Sequence, residues 1–393
     1  MKSNYFLLYL SIFFFSCTNS IRMKNEEKGK LQANYQLIIS SEKRILLDYE
    51  TAPQPPYMQM IQGSDGEYIL TLLNPYMNAI YFYDYEKTEY KGKIEYAKEG
   101  PNGIQSFAGY YIKNMDSIYV YNRYMAELVL TDRTGQVKQR ISLRGNRIDE
   151  DWSFYFPQYN FITANPLIEK KERIILTGMK PTTIADSLIH IFQFTASVNY
   201  VSCNVEFMHN YPKELYGANA HWESPTFMQP FRDFLPNGDL VYSFPVSHNV
   251  YIASYGVNNY KTVYAGSNVA GTIRSINDNR KRIPDEVLIN HFIQYDFYTA
   301  ILHDPYRHLY YRYMLRAIPN TNTYWKKKPL IVIIMDEQFN YQGETVIGTG
   351  EEWNWENSFV TSEGLTMEYI DHDADPEEQY LCLKTFTVEK INK

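Results

Sequence analysis

Three short stretches gather side chains able to do chemistry. His221-Trp222-Glu223 sets an imidazole, an indole and a carboxylate side by side. A ring that stacks, next to groups that donate and accept hydrogen bonds, suits a sugar or a peptide; the same residues would serve equally as a loop packed on the rim of a domain. Asp304 and Arg307 flank Pro305, either as an exposed ion pair that meets a ligand or as a turn in which the Asp side chain bonds its own backbone. Asp371-His372-Asp373, with Asp375, Glu377 and Glu378, is rich in the carboxylates a hard cation takes. It lacks the glycine-punctuated spacing of a calcium loop and reads as well as a solvated charge run. Trp152 adds an aromatic group within the long stretch 144–159. No G-x-S-x-G, H-E-x-x-H, G-x-x-x-x-G-K or C-x-x-C occurs, and no two of the His residues share metal-ligand spacing on one element. The sequence therefore calls for no metal and no cofactor.

The elements that must position these groups are strands. Residues 116–143 read as three strands in a row, 117–121, 128–131 and 137–143, with an Asp-Arg-Thr-Gly turn at 132–135 before the last. The unit recurs. A turn-like dyad stands before an apolar strand at 66, 116, 172, 238, 307 and 363, a period of roughly 50–70 residues. A second strand follows each anchor, at 80–83, 128–131, 189–194, 250–254, 330–335 and 380–386, and three of these run into an Asp turn at Asp84, Asp132 and Asp336. Third strands follow at 91–96, 137–143 and 343–347, and Phe107, Phe161, Phe227 and Phe297 lead segments that precede the anchors. Six units of four strands predict an all-β fold, a six-bladed β-propeller of antiparallel blades, because closing the ring buries both faces of every sheet. The sixth unit lacks an outer strand, which 35–49 can supply, so the N-terminal strand is expected to close the ring. The stretch 267–291 is too polar for a seventh blade; a short helix at 287–297 is left open.

The N-terminus reads as a sorting signal. Lys2 precedes an apolar run at 5–15, too short to span a bilayer, which leads into Phe14-Phe15-Ser16-Cys17. This resembles a bacterial lipoprotein signal, with Phe14 where Leu is usual; an ordinary secretory signal is the alternative. The expected organisation is a signal over 1–17 ending at a lipidated Cys17, a flexible tether over 18–34 and the propeller over 35–393. Cys203 and Cys382 read as two buried free thiols. The 37 Tyr fit half-exposed strands, ring inward and hydroxyl near water. A net charge of −7 argues against a nucleic-acid partner, which needs a basic face.

Together the Cys17 signal, the unit SIYVYNRYMAELVLTDRTGQV (117–137) and HDPYRHLYYRYMLR (303–316) resemble the DUF4221 lipoproteins of Bacteroidetes, related to six-bladed propellers of the TolB-like kind. The resemblance spans essentially the whole mature chain. It implies an exported propeller and brings no catalytic residues with it. Long loops on one face of such a scaffold are where binding sits. The expectation is thus an envelope lipoprotein of the outer membrane, facing the periplasm or the outside. It would bind a peptide, a glycan or an envelope protein without catalysis, at Trp152, His221, Trp222, Glu223, Asp304 and Arg307. The alternative is a hydrolase or lyase acting on a glycan, lactone or peptide with residues drawn from several blades.

Overall fold

The computed structural model describes residues 20–63, 65–144, 156–181, 188–217, 222, 224–276, 283–319 and 323–392. Six four-stranded antiparallel sheets follow one another as blades around an axis. Blade 1 comprises Met58–Gln62, Tyr68–Asn74, Ala79–Asp84 and Glu89–Glu95; blade 2, Phe107–Asn114, Ser117–Asn122, Glu127–Thr131 and Val137–Ser142. Blade 3 is built from Ile168–Lys170, Arg173–Thr177, Gln193–Asn199 and Asn204–Asn210, and blade 4 from Phe231–Phe234, Leu240–Ser243, Asn249–Ala253 and Lys261–Tyr264. Blade 5 holds Phe297–Asp304, Leu309–Leu315, Pro329–Asp336 and Tyr341–Thr349. Blade 6 takes Trp353–Val360, Leu365–Tyr369 and Tyr380–Lys390 from the C-terminal end and its outermost strand, Tyr35–Leu46, from the N-terminal end. That pairing runs from Tyr35 opposite Lys390 to Leu46 opposite Tyr380 and closes the ring as expected.

The first strand of each blade lies innermost. Met58 N–H donates to Thr163 Oγ1 (2.9 Å), which donates to Asn357 Oδ1 (2.7 Å), so blade 1, the segment entering blade 3 and blade 6 meet at the axis. The up-and-down order then fixes the faces. Connections between blades and turns between second and third strands lie on one face, here the upper; the remaining turns lie on the lower. At the lower face Asp84, Asp132 and Asp336 each accept backbone N–H bonds from the residues that follow, which stops the third strand and starts the fourth.

Differences from the sequence reading have local causes. In blades 3 and 4 the inner strands begin at Ile168 and Phe231, beyond Phe161 and Phe227. Phe227 instead belongs to a helical turn, α1 (Pro225–Met228), and packs on Phe297 with ring centres 4.6 Å apart. The third strand of blade 3 starts at Gln193, not within 189–192. Among its described residues, the polar stretch before blade 5 holds no blade but a helix, α2 (Asp285–Gln294).

The described part of the expected tether is instead a strap. Arg22–Met23 pairs with Ile273–Arg274, and Ile21 N–H donates to Ser275 Oγ. Asn25, buried, donates to Ser267 O and Ala270 O and accepts from the Tyr264 hydroxyl. Asn34 N–H reaches Gln342 O on the lower side of blade 5. The strap therefore descends along blades 4 and 5 before the chain enters blade 6.

The tyrosines also depart from expectation. Tyr81, Tyr83, Tyr110, Tyr211 and Tyr242 are fully buried, because each blade presses a whole face on the next. Many hydroxyls cross that interface: Tyr110 donates to Thr71 Oγ1 (2.7 Å), Tyr310 to Phe234 O (2.8 Å), and Tyr242 lies 2.9 Å from Thr195 Oγ1. Arg312 of blade 5 does the same with a charge. Its guanidinium reaches Ser243 Oγ and the carbonyls of Phe244, Ser247, His248 and Ala265 in blade 4, over the Tyr298 ring at 3.9 Å. Burial without a carboxylate pulls its pKa down to about 10.

Replacing Arg312 by Met would keep the bulk and strip these carbonyls of their donor. An unsatisfied buried acceptor costs ~1–3 kcal/mol, so Arg312→Met should lose at least ~3 kcal/mol of unfolding free energy by urea titration. A loss below ~1 kcal/mol would show that the cluster is not a tie between blades 4 and 5.

Candidate functional site

The central channel opens on the upper face into a cavity of about 580 Å³. Its chemistry comes from the innermost strand of blade 6, Trp353–Val360. Pairing with Leu365–Tyr369 is regular at Trp353 and Asn354, then jumps so that Ser358 faces Met367. Trp355, Glu356 and Asn357 have no partner in between; they bulge toward the axis, as extra residues in a paired strand do. The bulge is pinned on all sides. Ser358 Oγ donates to Trp355 O (2.7 Å), and Ala164 N–H to Glu356 O (2.9 Å). Buried Asn357 donates to Pro55 O and to Glu368 Oε2, both at 2.7 Å.

One wall of the cavity is thus Trp355, Glu356, Asn354 and Asn357; Gln54, Gln229 and Thr299 add polar groups. The facing wall is apolar: Ile289 and Phe292 of α2, with Trp325 edge-on to Phe292 at 6.1 Å. Trp355 is braced by Phe231, ring centres 5.7 Å apart. Gln229 Oε1 and Thr299 Oγ1 are buried and meet no protein hydrogen-bond partner. The arrangement can lay an apolar ligand face on indole rings and serve its polar edge with amides and a carboxylate.

Two carboxyl groups here are perturbed. Glu356 opens onto the cavity yet lies deep in the channel mouth, and burial raises its pKa against the attraction of Lys326. Glu368, buried behind the bulge, is pushed up to about 7 by burial, with the neighbouring Glu356 adding to the rise; hydrogen bonds from Asn357 and Asn354 oppose it. Glu368 does not line the cavity and works as the anchor of both asparagines.

Lys328, between the second and third strands of blade 5, is buried. It donates to the carbonyls of Phe292, Ile293 and Tyr295 and so ties down the C-terminal end of α2. Burial pulls its pKa down to about 7, against the pull of Asp296.

Of the residues expected at the site, Cys17, Trp152, His221 and Glu223 lie outside the described residues. Trp222 is buried; its indole N–H donates to Leu215 O (2.9 Å) and its ring packs on Tyr216 and Phe227. It is core, with no face left for a ligand. Asp304 and Arg307 form the turn reading of their pair, on the lower face and away from the cavity. Asp304 accepts from the N–H groups of Tyr306 and Arg307 and from the Tyr311 hydroxyl. Arg307 bonds Asp304 and reaches Ser362 O of blade 6. In the acidic loop Asp371 pairs with Arg44, and Asp375 accepts from Gln379 and Tyr380 N–H; among the described residues no cluster of His, Cys, Asp or Glu has metal-holding geometry. Of the cysteines, Cys382 is buried and Cys203 is half-buried, both free thiols. The signal that would have found the site is Trp-Asn-Trp-Glu-Asn at 353–357: two of the five Trp, two amides and a carboxylate, breaking strand alternation.

A closed ring of six blades with an aromatic and polar pocket at one mouth defines a six-bladed β-propeller. The chain belongs to the DUF4221 family, described as a domain of unknown function, whose profile matches residues 30–346. It is similar to the crystal structure of a DUF4221 member from Bacteroides vulgatus, with TM-score 0.72 and 19% identity over 92% of this chain and 100% of that one. A Bacteroides fragilis protein described as exported matches with TM-score 0.53 and 9% identity, over 91% and 96% of the two chains. Both likenesses are of fold. A search of curated proteins finds no match. No helix among the described residues is long and apolar enough to cross a membrane.

The Glu368 shift has a consequence for stability. Its folded pKa, about 7, lies above the ordinary 4.5, so its contribution is fully present below pH 4.5 and is lost as pH rises through 7. Glu368→Gln keeps an acceptor for both asparagines and cannot ionise. The stability of the native chain relative to this variant should fall between those two pH values. Parallel urea midpoints across that window would mean that Glu368 titrates normally.

Proposed function

We propose that this protein is an envelope lipoprotein, anchored through Cys17, that binds a glycan at the upper mouth of its channel without turning it over. The observation that carries the reading is the bulge at 355–357. It sets an indole, a carboxylate and amides on one wall of a cavity whose other wall is Phe292 and Trp325. Sugar rings offer C–H faces to indoles and hydroxyls to amides and carboxylates. The buried Gln229 Oε1 and Thr299 Oγ1 suit ligand hydroxyls at the floor. Glycoside cleavage uses two carboxyl groups flanking one bond, whereas Glu356 alone of this pair opens onto the cavity. The membrane is a partner through the lipid, and the net charge of −7 speaks against nucleic acid.

A second reading, a hydrolase or lyase, is favoured by one observation. Burial raises the pKa of both Glu356 and Glu368, the direction in which catalytic acids are tuned. Binding and turnover separate the two. Glycan binding by calorimetry should weaken about tenfold in Trp355→Ala, the loss of an aromatic contact of ~1.5 kcal/mol. Prolonged incubation should release no new product. Equal affinity in the variant would remove the site from the reading; product formation abolished by Glu356→Gln would make the protein an enzyme.

A further inference from the structure

The strap fixes where the chain leaves the disc. Its lower end is Asn34, beside Gln342. Its upper end is Ile21, tied to Ser275, with Met23 O accepting from His248 at the upper turn of blade 4. Ile273–Arg274, which Arg22–Met23 pairs with, belongs to the upper-face connection that continues into α2, the apolar wall of the pocket. Only four peptide steps separate Cys17 from Ile21, a reach of at most about 14 Å even when fully extended. A lipid on Cys17 therefore holds the upper face close to the bilayer.

A second observation points to the same face. Upper-face loop tips carry exposed apolar and aromatic side chains spaced around the ring. They are Tyr49 before blade 1 (97% exposed), Tyr76 in blade 1 (73%), Tyr124 in blade 2 (72%), Ile191 in blade 3 (72%), Ile289 on α2 and Trp325 in blade 5. Tyr and Trp are the side chains that settle at a membrane–water interface, ring toward the acyl chains and polar tip toward the headgroups. Lower-face turns are instead tipped by groups such as Lys87, Arg133, Lys171 and His308; among the described residues the exposed large apolar side chains there are Val201, Tyr255, Val257 and Tyr306.

We infer that the protein sits with its pocket-bearing face against the surface of the bilayer that holds its anchor, the ring of loop-tip aromatic residues resting in the headgroup layer. The inference rests on the Cys17 anchor proposed above. The disc then presents its lower face to the aqueous compartment, and the channel mouth opens at the membrane surface.

The lipidated full chain on phosphatidylethanolamine–phosphatidylglycerol vesicles tests it. Tyrosines are acetylated with N-acetylimidazole, and each rate is normalised to that in the urea-unfolded chain. By exposure alone Tyr49, Tyr76 and Tyr124 should react faster than Tyr306, which is 54% exposed. Docking inverts that order, the three upper tyrosines falling severalfold below Tyr306. Retention of the exposure order on vesicles overturns the inference. So does protection of the upper tyrosines in native envelopes only, which would mark a protein partner in place of lipid. Intact mass separates the premises: without a diacylglyceryl adduct on Cys17 the anchor and the inference fail together, while lipidated protein with unprotected upper tyrosines sinks the inference alone.

Discussion

Each blade of this ring buries a broad face against the next, and a polar group carried into that interface is costly unless it finds a partner there. An isolated four-stranded sheet would leave such faces in water, so the interface is both the reason for closure and the chief constraint on sequence. Tyrosine meets the constraint well. Its ring fills the gap between blades, and its hydroxyl reaches a threonine or a carbonyl of the neighbour, as Tyr110 does to Thr71 and Tyr310 to Phe234. Arg312 is the limiting case, a buried cation satisfied by carbonyls and a ring face with no carboxylate in the set. Dipoles fixed by a turn can replace a counter-ion only if they do not move, so Arg312 also demands a rigid blade 4.

The same requirement explains the channel. Toward the axis the inner strands leave room, and the space is crossed by polar links: Met58 to Thr163, Thr163 to Asn357, Asn357 to Pro55 and Glu368. These links make a bulged strand affordable. Unpaired backbone at 355–357 is re-bonded by Ala164 and Ser358, and what remains free is side chain aimed at the cavity. A carboxyl group behind such a bulge loses water on every side, which is why Glu368 holds its proton toward neutrality.

Architecture was legible in the sequence because it repeats. A dyad before an apolar strand, seen six times, implies blades, and a last unit one strand short implies closure by Tyr35–Leu46. What repeats less is less legible. Phe161 and Phe227 look like strand leaders but serve inter-blade packing, which periodicity cannot distinguish from pairing. The strap was invisible because Asn25, Ser267 and Ala270 meet only in three dimensions. Trp222 beside Glu223 looked like a ligand platform, yet a tryptophan in a loop is as readily drawn into the core, where Leu215 O accepts its N–H. The site lay instead in a strand, where Trp-Asn-Trp-Glu-Asn breaks the alternation, and only the register shows that the break faces the axis.

The two walls of the pocket differ in how they are held. The blade 6 wall is fixed by hydrogen bonds to two other parts of the ring, the segments entering blades 1 and 3, and by Ser358 within its own strand, which holds the backbone of Trp355, Glu356 and Asn357 in place. The facing wall is a single helix laid over blade 5, with ring contacts between Phe292, Phe297 and Trp325 and the Lys328 ammonium on its last carbonyls. Apolar contacts tolerate sliding where hydrogen-bonded turns do not. A ligand gripped between them therefore meets fixed polar groups on one side and an adjustable apolar surface on the other. Recognition of polar detail then falls to blade 6, and accommodation of ligand size to α2.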